Sequence, residues 1–289
     1  MQVGFQGVEG AYSHQALKEF FSAYSKFKNP KIVPKQQFDL VFKAVQRGTV
    51  DFGVIPIENS LAGSIHQNYD LLLNSKVWIA GEYKLRISHY LLALPGTQIK
   101  NLTKVYSHPQ ALSQCSDYLS TLKKVEVVPS FDTAGSAKYI VENNLTGCAA
   151  IAGKEAASVY GMKKLKVAIE NNEANFTRFF VLAKNKEKGK SFAKKTGVWK
   201  TSIVFSLKNI PGGLYKSLSI FAIRDIDLLK IESRPIPGSP WKYMFYLDFI
   251  GEADNGSGFK ALEHLKEITE DLKILGCYQA CDKWKRGHT

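Results

Sequence analysis

Residues 52–64, FGVIPIENSLAGS, join a short apolar run to a turn of small polar residues, and this stretch decides the fold class. Residues 52–57 are almost entirely apolar, which is typical of a strand buried on both faces. Amide, hydroxyl and glycine residues follow at once, and the pattern over residues 60–73 predicts a helix. The stretch therefore predicts a strand, a polar turn and a helix in succession.

The same unit recurs on both sides of this stretch. Helices are predicted at residues 13–24 and 38–47, two strands within 77–94, and further strands at 3–6, 105–106, 125–128, 148–151 and 179–182. Most of these strands are followed by a polar turn and a helix. This alternation predicts an α/β fold with a largely parallel sheet and helices on both of its faces.

Residues 184–200, KNKEKGKSFAKKTGVWK, interrupt the pattern because they are rich in lysine and poor in large apolar residues. We expect a linker here, between a first domain at 1–183 and a second at 201–280, with a tail at 281–289. In the second domain we predict strands at 201–207, 228–233, 243–249 and 274–279, and helices at 213–224 and 258–272. This βαββαβ order is that of a ferredoxin-like split unit.

Composition and charge exclude several classes of protein. The 289 residues carry 39 basic and 26 acidic side chains, a net charge of +13, but the lysines are scattered and no nucleic-acid-binding motif is present. There is no apolar run of about 18 residues, so no membrane-spanning helix is expected. The N-terminus shows no secretory signal, which favours a cytoplasmic location. No metal-ligand spacing or phosphate-binding loop occurs, so neither a metal nor a nucleotide cofactor is expected.

Small hydroxyl and amide residues stand at several predicted helix starts of the first domain. Helix N-termini at the carboxyl ends of parallel strands offer unpaired N–H groups to anions. Each such residue alone is more often only a helix cap, but the recurrence favours a shared cleft for a small molecule with more than one carboxylate. The residues expected to line this cleft are Ser13, Asn59, Ser60, Ser64, Ser107, Gln110 and Thr133.

The segment Asn175-Phe-Thr-Arg-Phe179 opens the last strand of the first domain. An arginine beside a strand can hold a carboxylate through two parallel hydrogen bonds, although an ordinary surface ion pair is an equal alternative for Arg178. Thr177 could serve only as a strand former. His108 precedes a proline and a predicted helix, which favours a structural or binding role over that of a general base.

Four ordered motifs resemble those of the prephenate dehydratase family. They are the glycine–serine loop at 7–13, PIENS with GS at 56–64, SHPQAL with QC at 107–115, and Thr-Arg-Phe at 177–179. The second domain resembles the ACT module of these enzymes through NIPGGL at 209–214 and ESRP at 232–235. Gly213 stands where the family commonly has alanine. The resemblance covers nearly the whole chain.

The resemblance implies a catalytic domain like the type II periplasmic binding proteins, with one subdomain at about 1–77 and 170–183 and the other at about 78–169. It implies decarboxylating dehydration of prephenate to phenylpyruvate, in phenylalanine biosynthesis. Thr177 would donate the proton to the leaving oxygen, Arg178 would anchor a carboxylate, and Phe179 would shape the wall of the pocket. The first strand begins near residue 3, so a monofunctional enzyme without a chorismate mutase module is expected.

The resemblance also implies regulation by phenylalanine, bound at interfaces between ACT domains of a homodimer or homotetramer. The residues expected to form that site are Asn209, Gly212, Gly213, Leu214, Glu232, Ser233, Arg234 and Pro235. Two alternatives stay open. One is arogenate dehydratase, the same chemistry on the aminated substrate, and the other is a non-catalytic protein that binds a small anion and carries an amino-acid sensor.

Overall fold

The structure, a computed structural model, describes residues 1–194, 196–208, 210–236, 238–239 and 241–281. Its contacts divide the chain into two compact units. Unit 1 comprises residues 1–68 and 83–179, and unit 2 comprises residues 69–82 and 180–289. The predicted linker at 184–200 therefore lies within unit 2, as does the short segment 69–82.

Unit 1 holds most of the strand–helix repeats. Its helices and strands are β1 (Gln2–Gln6), α1 (Tyr12–Ser22), β2 (Lys31–Lys35), α2 (Phe38–Arg47), β3 (Phe52–Asn59), β4 (Gly63–Ser64), α3 (His66–Asn74), β5 (Trp78–Arg86), β6 (Tyr90–Ala93), β7 (Lys104–Ser107), α4 (Pro109–Gln114), α5 (Ser116–Ser120), β8 (Glu126–Pro129), α6 (Thr133–Glu142), β9 (Cys148–Ala152), α7 (Lys154–Val159), β10 (Lys163–Lys166) and β11 (Phe176–Ala183). Three of them, α3, β5 and β11, continue into unit 2.

Two sheets form the lobes of unit 1. In the first lobe, β2, β1 and β3 are parallel neighbours, and β3 is followed by β11. In the second lobe the strand order is β10-β6-β9-β7-β8, with β7, β8 and β9 parallel and β6 and β10 antiparallel to their neighbours. Strand β9, CAAIA, is buried along its whole length, and its small side chains let helix α6 pack closely on the sheet.

Unit 2 is an antiparallel sheet with two helices packed on it. Its remaining elements are α8 (Lys186–Gly189), β12 (Trp199–Leu207), α9 (Gly213–Ala222), β13 (Leu228–Pro235), β14 (Tyr243–Ile250), α10 (Gly256–Ile268) and β15 (Thr269–Gln279). The strand order is β13-β14-β12-β15, and β15 pairs with β5 in parallel. The predicted βαββαβ order is confirmed, and an apolar core joins the sheet to α9 and α10.

The main differences between the predicted elements and the structure concern two helices and two strands. The helix predicted at 60–73 begins only at His66, because the Asn59 side chain accepts hydrogen bonds from the N–H groups of Leu61 and Ala62 and closes a turn. The helix predicted at 258–272 ends at Ile268, where the chain enters β15. The lysine-rich strands β2 and β10 were not predicted, because both are edge strands without an apolar run.

Candidate active site

A cavity of about 770 Å³ opens in unit 1 where β1, β3, β7 and β8 end. This is the edge of the sheets at which parallel α/β folds bind ligands, and the volume suits a small organic molecule. Seven of the ten predicted catalytic and substrate-binding residues line it: Ser13, Asn59, Ser64, Gln110, Thr133, Thr177 and Phe179. Arg178, Ser60 and Ser107 do not line it.

Arg178 lies on the opposite face of β11 from the cavity. Side chains alternate along a strand, so Thr177 and Phe179 on the cavity side place Arg178 on the other side. Its side chain is only 9% exposed, and Nη1 lies 3.9 Å from Oε2 of Glu58 on the neighbouring strand. The expected contact of Arg178 with a ligand carboxylate is therefore replaced by an ion pair between strands.

Ser60 and Ser107 hold backbone segments together instead of lining the cavity. The Ser60 hydroxyl donates to the Ala174 carbonyl over 2.8 Å and accepts from the Phe176 N–H over 2.9 Å, which ties the turn after β3 to the start of β11. The Ser107 side chain is fully buried and donates to the Ile151 carbonyl over 2.6 Å. Both hydroxyls are thus used within the protein.

The N-terminus of α1 forms one wall of the cavity. No side chain caps this helix at Ala11, and Ala11, Tyr12 and Ser13 all line the cavity. The first-turn N–H groups of a helix attract anions, so this wall suits a carboxylate. The loop before the helix needs Gly10, whose φ is +88°, since a Cβ there would lie 2.8 Å from Cα of Ala156 in α7.

Asn59 holds the Thr177 hydroxyl in one orientation. Its Oδ1 accepts from two backbone N–H groups of the turn, so Nδ2 must point the other way. Nδ2 donates to Thr177 Oγ1 over 3.0 Å and to Asn175 Oδ1 over 2.8 Å. Because Thr177 Oγ1 already accepts a hydrogen bond, its own proton is available to a molecule in the cavity.

The chain of hydrogen bonds continues from Asn175 to Tyr12. Asn175 Nδ2 donates to Gln114 Oε1 over 3.0 Å, and His89 Nε2 lies 2.9 Å from the same oxygen. An amide oxygen can only accept, so Nε2 carries a proton. The other ring nitrogen, Nδ1, lies 2.8 Å from the Tyr12 hydroxyl. The orientation of every member follows from the backbone N–H groups that fix Asn59.

Burial shifts the pKa values of His89 and Tyr12, the last two members of this series of hydrogen bonds. It lowers the pKa of His89, an effect partly offset by the Gln114 hydrogen bond and by the charge of Glu170. It also raises the pKa of Tyr12 well above its usual value. A neutral His89 with its proton on Nε2 therefore accepts from a protonated Tyr12, whose oxygen also lies 3.0 Å from the Ser88 carbonyl.

Several cavity residues were not assigned a role from the sequence. They are Tyr12, His89, Gln114, Phe131 and Asp132, together with Asn175 behind the wall. Tyr12, Gln114 and Asn175 stand inside motifs that were singled out, and Asp132 directly precedes Thr133, whereas nothing in the sequence marks His89. The His108 side chain accepts from the Gln110 N–H over 3.2 Å and caps α4, in agreement with a structural role.

Within the described ranges, no group of three or more His, Cys, Asp or Glu side chains is placed to hold a metal ion. In the same part of the chain, no helix is both long enough and apolar enough to cross a membrane.

Comparison with known families supports the motif resemblance over the first two thirds of the chain. A model of the family described as prephenate dehydratase matches residues 3–187. The chain belongs to the prephenate dehydratase family. It is 43% identical over 287 residues to arogenate dehydratase/prephenate dehydratase 2 of Arabidopsis thaliana, a chloroplastic protein, covering 96% of this chain and 72% of the relative.

Solved structures agree over nearly the full length. The prephenate dehydratase of Arthrobacter aurescens in complex with L-Phe has a TM-score of 0.86 at 27% identity, covering 98% of this chain and 92% of the other. A protein named GqqA, described as a novel type of quorum quenching acylase, has a TM-score of 0.87 at 29% identity, covering 98% and 99%. The predicted fold class is confirmed as an α/β catalytic part, like those of solved prephenate dehydratases, followed by a βαββαβ unit of the ACT type. This prephenate dehydratase family member is thus a lyase of the prephenate and arogenate class, in phenylalanine biosynthesis.

Proposed function

We propose that the protein removes water and carbon dioxide from prephenate to give phenylpyruvate, with the Thr177 hydroxyl as proton donor. The observation that carries this proposal is the Thr177 hydroxyl itself, which lines the cavity and accepts a hydrogen bond from Asn59. The Thr177 oxygen accepts from Asn59, so the hydroxyl keeps its own proton for donation to a ligand in the cavity. Arogenate, the aminated counterpart, is the second candidate substrate because the ring chemistry is the same.

The reaction breaks two bonds and forms an aromatic ring. The electron pair of the bond between the ring and its carboxylate moves into the ring as carbon dioxide leaves. The bond between the opposite ring carbon and its hydroxyl breaks, and that oxygen leaves as water with the Thr177 proton, which solvent then replaces. Aromatisation drives the elimination, so the protein mainly has to orient the substrate and protonate the leaving group.

The remaining cavity groups account for binding. The first-turn N–H groups of α1 can donate hydrogen bonds to the two carboxylates of the substrate, together with the hydroxyls of Ser13, Ser64 and Thr133. Phe179 and Ile87 provide an apolar surface for the ring. Arg178 is not assigned to substrate binding, since it does not line the cavity and its guanidinium lies 3.9 Å from Glu58.

Steady-state turnover of prephenate and arogenate by the purified protein tests the proposal. Phenylpyruvate is expected from prephenate and phenylalanine from arogenate, each with release of carbon dioxide. A protein that turns over neither substrate would be a binding protein for a small anion, and the catalytic proposal would be wrong.

Replacing Asn59 by aspartate should lower kcat by about tenfold to a hundredfold with little change in KM. Aspartate keeps an acceptor for the N–H groups of Leu61 and Ala62 but loses the donor to Thr177. The Thr177 hydroxyl would then donate to the new carboxylate instead of to the substrate. Steady-state kinetics of the variant measure the effect.

Asn143→Asp is the matched control, because Asn143 lies at the surface at the C-terminal end of α6. Among the described residues, its side chain bonds only to the Tyr139 carbonyl. If both variants lose the same fraction of kcat, the orienting role of Asn59 is contradicted.

We further propose that phenylalanine regulates the enzyme through the ACT-type unit of an oligomer. Gly212 and Gly213 begin α9, with φ of +74° at Gly212, and Leu214 is exposed. Glu232, Ser233, Arg234 and Pro235 lie on the edge strand β13. Asn209 lies outside the described residues. The L-Phe complex of the Arthrobacter relative supports an effector role for this amino acid.

Arg234 connects the edge strand to helix α3. Its guanidinium bonds to Asp70 through Nη2 at 2.8 Å and Nε at 3.4 Å. Helix α3 begins at His66, directly after Ile65, which lines the cavity. A ligand that draws Arg234 away from Asp70 would therefore act on a helix that starts at the catalytic cavity.

We expect Arg234→Ala to raise at least tenfold the phenylalanine concentration that gives half of its effect on activity. The rate without phenylalanine should already lie nearer that of the phenylalanine-bound wild type, because the variant lacks the contact with Asp70. Activity titrations with phenylalanine measure this shift. Lys242→Ala, which removes an exposed ion pair with Glu270, is the control and should respond like the wild type. Equal responses of both variants would count against the role of Arg234.

The oligomer and the cytoplasmic location remain predictions from the sequence. Light scattering coupled to size exclusion, with and without phenylalanine, gives the oligomeric state directly.

A further inference from the structure

One acidic side chain stands on the wall of a cavity that should receive a dicarboxylate. Among the described residues that line the cavity, none is lysine or arginine, and Asp132 is the single carboxylate. A carboxylate at this place disfavours anions, because like charges a few ångströms apart repel each other. Its presence needs a reason other than the binding of the substrate carboxylates.

Helix capping uses only half of the Asp132 side chain. Oδ1 accepts from the Ala134 N–H over 3.1 Å and lies 3.4 Å from the Thr133 hydroxyl, so this oxygen caps α6. Within the described part of the chain, Oδ2 accepts no hydrogen bond from a protein group. It lies 3.7 Å from the place that a Cβ would take on Gly7, whose lack of a side chain keeps this part of the wall open.

Capping alone does not require a charge. Asparagine and serine cap helices as well as aspartate does, and both are neutral. The charge of Asp132 therefore acts on the molecule that is bound in the cavity. A half-buried carboxylate with one oxygen free of protein donors is suited to a cationic nitrogen.

The two candidate substrates differ at one group, and such a carboxylate interacts differently with its two forms. Prephenate carries a keto group next to its side-chain carboxylate, and arogenate carries an ammonium group at the same carbon. An ammonium group donates hydrogen bonds and attracts Oδ2. A keto oxygen can only accept hydrogen bonds and is repelled.

We propose that Asp132 determines specificity and favours the aminated substrate, arogenate, over the keto acid. This inference rests on the proposed function, because it names the substrate that the same site prefers. Asp132 and Thr177 have separate roles: Thr177 acts at the ring, where the elimination is identical for both substrates, and Asp132 acts at the group in which the substrates differ. Its effect therefore falls on the ratio of the two kcat/KM values and not on the proton transfer.

Asp132→Asn tests the inference, because asparagine preserves the cap of α6 and removes the charge. We expect kcat/KM for arogenate to fall at least tenfold, and kcat/KM for prephenate to stay level or rise. Glu142→Gln is the matched control. It removes the same charge at the far end of α6, about 15 Å along the helix axis, where salt screens the field at the cavity. This control should leave the ratio unchanged.

The outcomes separate the two proposals. If the wild type turns over neither substrate, the proposed function fails and the inference fails with it. If the wild type turns over both and Asp132→Asn changes both values by the same factor, only the role of Asp132 is overturned.

A second measurement needs no variant and covers the case in which Asp132→Asn does not fold. In the wild type, kcat/KM for arogenate should exceed kcat/KM for prephenate. A wild type that prefers prephenate would overturn the inference.

Discussion

Thr177→Ala will lower kcat by roughly 10²–10⁴-fold for whichever substrate the wild type prefers, with a small change in KM. The physical reason is the loss of the Thr177 hydroxyl, which Asn59 holds at the cavity and which would donate its proton to the leaving group. The binding surfaces at α1 and at Phe179 stay in place, so the substrate should still bind. Steady-state and single-turnover rates measure the loss.

Two conservative variants distinguish the hydroxyl from the shape of the side chain. Thr177→Ser keeps the hydroxyl and should retain a large part of kcat. Thr177→Val keeps the branched shape on β11 but has no proton to give, so it should resemble alanine. A valine variant that works as well as serine would show that Thr177 is only part of the wall.

Lys200→Met will lower the free energy of unfolding by about 3–5 kcal/mol, the largest stability effect that we expect. Lys200 lies on β12 with its side chain 4% exposed, and its Nζ is 2.9 Å from Oε2 of Glu82, which is 1% exposed. Asp248 Oδ2 lies 3.9 Å from the same Nζ. Removing the lysine takes away the cation that lies between these two buried carboxylates. Chemical denaturation followed by fluorescence measures the loss.

The double variant Lys200→Met, Glu82→Gln tests whether charge is the cause. Glutamine is neutral and keeps an oxygen for the Cys281 N–H, which Glu82 Oε1 accepts over 3.1 Å. We expect the double variant to recover a large part of the lost stability.

An exposed pair with the same separation provides the control. Lys104 and Glu126 are also 2.9 Å apart, but their side chains are 43% and 61% exposed. Lys104→Met should leave the unfolding midpoint close to that of the wild type, since water screens such pairs. Equal losses from Lys104→Met and Lys200→Met would contradict the argument from burial.

The elements of this fold were largely predictable because their signals are local. The apolar run at 52–57, the 3.6-residue spacing at 13–24 and the turn residues between them specify backbone conformation within a few neighbours. The misplaced start of α3 shows the limit of this reasoning. There, the side chain of Asn59 closes a turn that competes with the helix over residues 60–65.

The sequence by itself determined the strand–helix alternation, the βαββαβ unit and the turns from which the cavity is built. It did not determine which side chains meet in that cavity. A strand pattern separates two faces but does not say which one meets the ligand, so Arg178 was expected in the site and lies on the other face. The hydrogen bond from Asn59 to Thr177 joins residues 118 positions apart, and such pairing arises only when β3 and β11 become neighbours in one sheet.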